Sequence, residues 1–291
     1  MAEFLSRVVD ANGLHFATLE AGTGPLVLCL HGFPDHARSF RHQLPALAAA
    51  GFRAVAPFMR GYAPTEVPAD GRYQSAVLAQ DAIALVAALG YDSAYIFGHD
   101  WGALAAYGAA ILAPEKVTKL VTAAVPHGPS VLNAFLGDYD QQRRSWYMFF
   151  FQHPFADAAV PNNDFRFIER LWQDWSPGWG YPPEEMEELK RTFRSPGVLQ
   201  AALAYYRCTL NPANQDPTLS DLQTLLAMSP VNVPTLVFHG AQDGCMGADL
   251  LDGMEALFPK GLRKALIARA GHFVHQEKPD EVNRLLLEFL R

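Results

Sequence analysis

Six short apolar runs, set between stretches with helical spacing, constrain this chain more than any other feature. They occupy residues 26–30, 53–56, 94–97, 120–125, 235–238 and 265–268. Their apolar residues are continuous rather than alternating, as in strands buried on both faces. Helical spacing covers about 39–50, 75–89, 102–113, 248–257 and 279–290. Alternation of this kind predicts an α/β fold with a mostly parallel, doubly wound sheet. At the start, residues 4–9 and 15–19 flank Asn12-Gly13, a dipeptide suited to a hairpin turn with positive φ. The hairpin brings the expected sheet to eight strands.

The alternation stops between about 130 and 220. That segment lacks clear buried strands, yet residues 135–215 hold half of the chain's Phe, Tyr and Trp residues. Pro183 with Glu184, Glu185, Glu187 and Glu188 early, then Lys190 and Arg191 late, match a helix dipole. Leu199, Ala202, Leu203 and Tyr206 fall on one helix face. The expected organisation is a core of residues 1–130 and 220–291 with an inserted helical cap at 131–219. Its aromatics either wall an apolar pocket or form the cap's own core.

With 291 residues, half of them hydrophobic, the chain can bury a sizeable core. A net charge of −7 and the lack of any basic run argue against nucleic acid and anionic membranes as partners. Cys29, Cys208 and Cys245 lie far apart, without disulfide or zinc-knuckle spacing, and read as free thiols. Residues 1–10 carry Glu3, Arg7 and Asp10 and no signal-like apolar stretch. The expectation is a soluble, cytoplasmic protein, its oligomeric state open between monomer and homodimer.

The segment Gly98-His99-Asp100-Trp101-Gly102 joins an apolar run to a helical one. Small residues on both sides of Asp100 allow a tight strand-to-helix turn that presents its side chain at the sheet's edge. Asp243 follows the fifth apolar run and His272 the sixth, both at strand ends where such a fold gathers its chemistry. The order nucleophile, acid, histidine suits a triad, although a loop Asp is usually a turn cap and most of the ten histidines need no special role. Leu30-His31-Gly32-Phe33-Pro34 follows the first run. The main-chain N–H groups of Phe33 and Trp101 are the expected oxyanion donors. His239, Asp243, Cys245 and Asp249 match no metal-ligand spacing, and no phosphate-binding loop is present, so neither metal nor cofactor is expected.

These segments together resemble the α/β-hydrolase superfamily, and within it the epoxide hydrolases. His31-Gly32-Phe33-Pro34 is similar to the family's HGxP motif, in which the bond before Pro is typically cis. Gly98 to Gly102 resembles its nucleophile elbow, Arg60-Gly61-Tyr62-Ala63-Pro64-Thr65 its RGYGxS segment, and Ala270-Gly271-His272-Phe273 its histidine segment. Trp146-Tyr147-Met148-Phe149-Phe150-Phe151-Gln152-His153-Pro154 and Tyr205-Tyr206-Arg207 resemble the two cap segments that carry epoxide-binding tyrosines. The resemblance implies that Tyr147 and Tyr206 bind the epoxide oxygen. It also implies that His31, Phe33, Pro34, Trp101, Phe151 and His272 line the substrate site. Tyr206 lies on its helix's apolar stripe, with Tyr205 rotated about 100° away.

Aspartate at position 100 narrows the chemistry further. Its ordinary pKa is about 3.9, so it is a nucleophile without a base. It can displace a leaving group at an sp³ carbon and form an alkyl ester. Against an acyl group it would form an anhydride. His272, oriented by Asp243, is then free to activate the water that cleaves the ester. A small apolar or aromatic epoxide is the expected substrate, with water. The alternative is a haloalkane dehalogenase, whose halide needs N–H donors rather than an acid. Phe33 stands where many haloalkane dehalogenases have Asn, and Trp101 where fluoroacetate-type enzymes carry Arg. Trp146, Trp172, Trp175 or Trp179 could still supply a halide donor.

Overall fold

The computed structural model describes residues 4–291, so Glu3 lies outside the described residues. Eight strands form one sheet: β1 Leu5–Ala11, β2 Leu14–Ala21, β3 Leu26–Leu30, β4 Arg53–Pro57, β5 Ala94–His99, β6 Val117–Ala123, β7 Thr235–Gly240 and β8 Leu262–Ile267. Their order is β1-β2-β4-β3-β5-β6-β7-β8. The pairs from β4 through to β8 are parallel, whereas β2 runs antiparallel to both β1 and β4. Asn12 (φ 46°) and Gly13 (φ 76°) make the β1–β2 turn, both in the left-handed region a tight hairpin needs. Every residue of β3 and β7 is buried, which explains their continuous apolar runs.

Helices α1 Gln43–Ala49, α2 Ser75–Ala88 and α3 Trp101–Leu112 connect the early parallel strands. The chain moves from β3 to β4 on one side and then returns to place β5 on the other. This reversal sets the ends of β3 and β5 side by side, with Leu30 paired to Gly98. Open α/β sheets bind ligands at such a reversal. Here it brings the loop holding Phe33 against the turn holding Asp100.

Between β6 and β7 the chain is helical: α4 Pro129–Gly137, α5 Tyr139–Arg144, α6 Trp146–Phe150, α7 Ala156–Ala159, α8 Asn162–Trp175, α9 Pro183–Arg194, α10 Val198–Leu210 and α11 Ser220–Met228. Residues Asn163 to Phe165 of α8 have left-handed φ, so its regular turns begin after them. α12 Val274–Glu277 and α13 Pro279–Leu290 complete the fold. Leu28, Phe97 and Phe238 of the sheet share one hydrophobic cluster with Trp172, Leu189 and Leu203 of the inserted helices. Among the described residues, no helix is long and apolar enough to cross a membrane.

Three sequence expectations need correction. β6 starts at Val117 and ends at Ala123, earlier than the apolar run suggests. β8 spans Leu262–Ile267 and is largely exposed, because as an edge strand it has only β7 beside it. Residues 248–257 are not one α-helix. They form two 3₁₀ turns, Ala248–Leu251 and Met254–Leu257, separated by Gly253 at φ 78°. That left-handed glycine interrupts the helical hydrogen bonding.

Candidate active site

Asp100 adopts φ 52° and ψ −119°, a conformation that non-glycine residues rarely take. The neighbouring backbone holds it there. Its N–H donates to the Ala123 carbonyl at 3.2 Å, and its own carbonyl accepts from Ala103 N–H at 2.8 Å. The flanking glycines are required by space. A Cβ on Gly98 would lie 2.1 Å from the Gly102 oxygen, and one on Gly102 would lie 2.0 Å from the Leu30 oxygen.

The β3 loop delivers the main contact to the carboxylate. Phe33 N–H donates to Asp100 Oδ1 at 2.7 Å, and the Phe33–Pro34 bond is cis. Gly32 packs directly on the same oxygen, which a Cβ there would approach to 2.2 Å. Trp101 N–H, the other expected donor, opens α3 beside the carboxylate but makes no hydrogen bond to it among the described residues. Trp101 is buried, and its indole Nε1 has no hydrogen-bond partner among the described residues.

His272 lies on the far side of Asp100. Its Nε2 is 3.7 Å from Asp100 Oδ2, and its Nδ1 is 3.0 Å from Asp243 Oδ2. The other Asp243 oxygen accepts from the N–H groups of Cys245 (2.7 Å) and Met246 (2.9 Å). Burial raises the Asp243 pKa, but the neighbouring His272 and these hydrogen bonds outweigh it and hold the carboxyl below its ordinary value. Burial likewise disfavours the His272 cation, yet Asp243 and Asp100 together push its pKa well above 6.5. His99 holds the His272 backbone: its Nε2 lies 3.0 Å from the His272 carbonyl and so carries the donated proton. Burial lowers the His99 pKa to about 3, which keeps its ring neutral.

The inserted helices reach the same place. The Trp175 carbonyl, at the end of α8, accepts N–H groups from both Gly244 and His272 at 3.0 Å. One oxygen thus ties together the loops carrying Asp243 and His272. Ser176 continues the clamp: its hydroxyl donates to Glu277 Oε1 at 2.6 Å and accepts from Phe273 N–H at 3.2 Å.

A cavity of about 370 Å³ is lined by Asp100 together with Trp101, Tyr147, Tyr206 and Cys245. Leu104, Met148, Leu132, Phe135 and Leu226 are also among its walls. Tyr147 comes from α6 and Tyr206 from α10, and their rings are 5.6 Å apart at an angle of 84°. Among the described residues, the Tyr206 hydroxyl is buried without a hydrogen-bond partner. The Tyr147 hydroxyl lies 3.3 Å from Cys245 Sγ. Burial raises both phenol pKa values well above 10, so both remain donors at neutral pH.

Other expected substrate-lining residues have different surroundings. The His31 ring is engaged by backbone on both sides, its Nε2 accepting from Met59 N–H and its Nδ1 donating to the Gly32 carbonyl, each at 2.9 Å. It fixes the loop and has no nitrogen free for a ligand. The Pro34 carbonyl accepts from Trp172 Nε1 at 2.8 Å. Phe151 is fully buried behind the tyrosines, with its ring 5.1 Å from Tyr206 and 5.5 Å from Phe33. Tyr205 also departs from its off-stripe reading. It is buried and donates to the Arg60 carbonyl at 2.8 Å, since its side of α10 packs on the core. Arg60 itself makes a buried two-point ion pair with Asp81, at 2.6 and 2.8 Å.

Sequence reasoning did not anticipate Cys245, His99 or the Trp175 carbonyl in this site. The thiol carries no spacing signal, and a backbone carbonyl carries none at all. His99 sits inside the elbow motif, but which group its ring meets depends on the distant β8 loop. Ligand-type atoms of Asp243, Cys245 and His272 lie within 4.8 Å of one another, as do those of Asp35, His99 and His275. His239 and Asp249 join neither group.

Residues 25–279 match the family model described as alpha/beta hydrolase fold. The chain is 32% identical to Epoxide hydrolase 4 of Homo sapiens, over 98% of this chain and 78% of that protein. It is 31% identical to Epoxide hydrolase A of Mycobacterium tuberculosis, over 98% and 96%. Its structure resembles that of the Bacillus megaterium epoxide hydrolase solved with an inhibitor, with a TM-score of 0.86, 29% identity and coverage of 98% and 99%. The chain belongs to the α/β-hydrolase fold family and, within that class, to the epoxide hydrolases.

Proposed function

We propose that this protein hydrolyses epoxides to vicinal diols through an alkyl ester on Asp100. The observation that carries the reading is the meeting, in one apolar cavity, of the Asp100 carboxylate with the hydroxyls of Tyr147 and Tyr206. Phe33 N–H engages Oδ1, which leaves Oδ2 as the attacking oxygen. Oδ2 bonds to an epoxide carbon as the ring C–O bond breaks. The departing alkoxide takes a proton from a tyrosine, which the low acidity of buried phenols does not prevent once a strongly basic alkoxide forms.

The ester then changes His272. While Asp100 is ionised, its charge helps keep His272 protonated. Ester formation removes that charge, so the imidazole pKa falls, His272 gives its proton to the phenolate left by ring opening, and Nε2 becomes available as a base. Nε2 takes a proton from water, and the water oxygen attacks the Asp100 carbonyl carbon. The oxyanion develops on Oδ1, opposite Phe33 N–H, with Trp101 N–H as a second donor if the turn tightens around it. Collapse expels the diol with the former Oδ2. The departing alkoxide takes the remaining proton of the attacking water, and His272 keeps the other, which restores the starting state beside the ionised Asp100.

In this reading, residues 131–219 act as a cap that supplies the tyrosines and shields the ester. Water and a small epoxide with an apolar or aromatic substituent are the reactants. Of the tryptophans that could serve a halide, Trp172 is withdrawn, because its indole N–H is bonded to the Pro34 carbonyl. The test is single turnover of styrene oxide in H₂¹⁸O. Label should enter Asp100, leave the first diol unlabelled, and reach the diol only on later turnovers. Asp100→Asn should form no ester. Bromide release from 1-bromoalkanes faster than diol formation would transfer the assignment to dehalogenation.

A further inference from the structure

Among the described residues, the Tyr147 hydroxyl has one hydrogen-bond partner, the Cys245 thiol, and nothing in the proposed reaction so far uses that thiol. Cys245 is also held more firmly than its loop position suggests. Its N–H is bound by Asp243 Oδ1 at 2.7 Å, and its carbonyl accepts from Gln141 Nε2 at 2.9 Å. Gln141 is itself buried, and its Oε1 accepts from Gly247 N–H at 3.0 Å. The sulfur therefore has a fixed position relative to the acid of the triad.

We propose that Cys245 is a positioning residue for Tyr147, its S–H supporting the phenol oxygen so that the phenol proton is directed at the epoxide oxygen. The proposal rests on the role given to Tyr147 above. A phenol oxygen has one proton and two lone pairs. An epoxide oxygen only accepts, so in the bound complex Tyr147 must donate to it. The phenol oxygen is then free to accept the Cys245 S–H. Burial raises the Cys245 pKa, which keeps the sulfur protonated and able to donate.

The effect belongs to one step. As the Asp100 Oδ2–carbon bond forms and the ring C–O bond breaks, the proton moves from Tyr147 to the alkoxide. Negative charge then appears on the phenol oxygen, and the S–H bond to it strengthens. Cys245 keeps its proton throughout. Cleavage of the ester by water draws no proton from Tyr147, so loss of the S–H bond to Tyr147 should not slow it. A cysteine that only packed the Asp243 loop would disturb His272 and slow ester cleavage as well.

The experiment resolves the two steps by single-turnover kinetics with styrene oxide, in the single variants Cys245→Ala, Cys245→Ser and Tyr147→Phe and in the double variant Cys245→Ala/Tyr147→Phe. Cys245→Ala should slow ester formation by about 3- to 10-fold, the effect of one hydrogen bond, and leave ester cleavage unchanged. Cys245→Ser keeps a donor and should restore most of the rate. In the Tyr147→Phe background, Cys245→Ala should cost nothing more. Equal slowing of both steps, no slowing of ester formation, or an undiminished effect in the Tyr147→Phe background would each overturn the proposal. Tyr147→Phe with normal ester formation would overturn the tyrosine's own role and the proposal with it. That failure is read from the single variant and so is distinct from a failure of Cys245 alone.

Discussion

Gly32 sits directly against the nucleophile, because its missing side chain is what allows Asp100 Oδ1 to sit against the β3 loop. A methyl group there meets the carboxylate at 2.2 Å, and the neighbouring backbone leaves the acid as the part that must yield. Gly32→Ala should therefore lower the rate of ester formation by about 10²-fold, the scale of loss expected when a reacting group is displaced by roughly 1 Å. Circular dichroism should stay close to that of the parent, since the loop is supported by the His31 bonds to Met59 and Gly32. A variant that forms the ester at the parental rate would show that the carboxylate is not held as described. At this scale much was legible in advance. Asp100, Asp243 and His272 stand at strand ends in an order that suits their chemistry, and the structure brings their side chains together. His31 has both ring nitrogens bonded to backbone, and a histidine beside a functional turn gives no sequence sign of whether its nitrogens face ligand or backbone.

At the scale of elements, the loop after β4 is locked by charge. Arg60 and Asp81 are paired at two points in the interior, and Asp81 also accepts from Asn12 Nδ2 at 2.6 Å. This joins the β1–β2 turn, the β4 loop and α2. Asp81→Ala would strand the guanidinium in a low-dielectric site and should cost about 3–5 kcal/mol, read by urea unfolding. A loss below about 1 kcal/mol would mean that water reaches Arg60 after the change. The parallel strands were readable because both of their faces are buried, which leaves unbroken apolar runs. The insertion was harder to read. α8 begins with three left-handed residues and α6 spans only Trp146–Phe150, so neither sustains a long helical period. The stretch after β7 looked helical because its apolar spacing persists across Gly253, whose φ ends the helix geometry.

For the whole molecule, the same charges that prepare the site set a pH dependence of stability. His272 binds its proton more tightly folded than unfolded, as its pKa is raised. That contribution is complete below the unfolded value of about 6.5 and is lost as pH rises through the folded value. Asp243 has the opposite sign. Its lowered pKa gives a contribution present above the unfolded value of about 3.9, and lost as pH falls through the folded one. Asp100→Asn removes one of the groups that raise His272, so the stability lost on the alkaline side should be lost at lower pH than in the parent. Thermal midpoints measured from about pH 6 to 9 test this, and superimposable profiles would refute it.

The two N–H groups gathered by the Trp175 carbonyl bear on how anything enters. An opening motion that lifted the end of α8 would release the Asp243 and His272 loops together, and the site would lose its geometry as it admitted its ligand. Passage and readiness are compatible only if that edge stays fastened and serves as a pivot. The cavity walls also include Phe135 and the exposed Leu132 of α4, and movement there would leave both triad loops fastened.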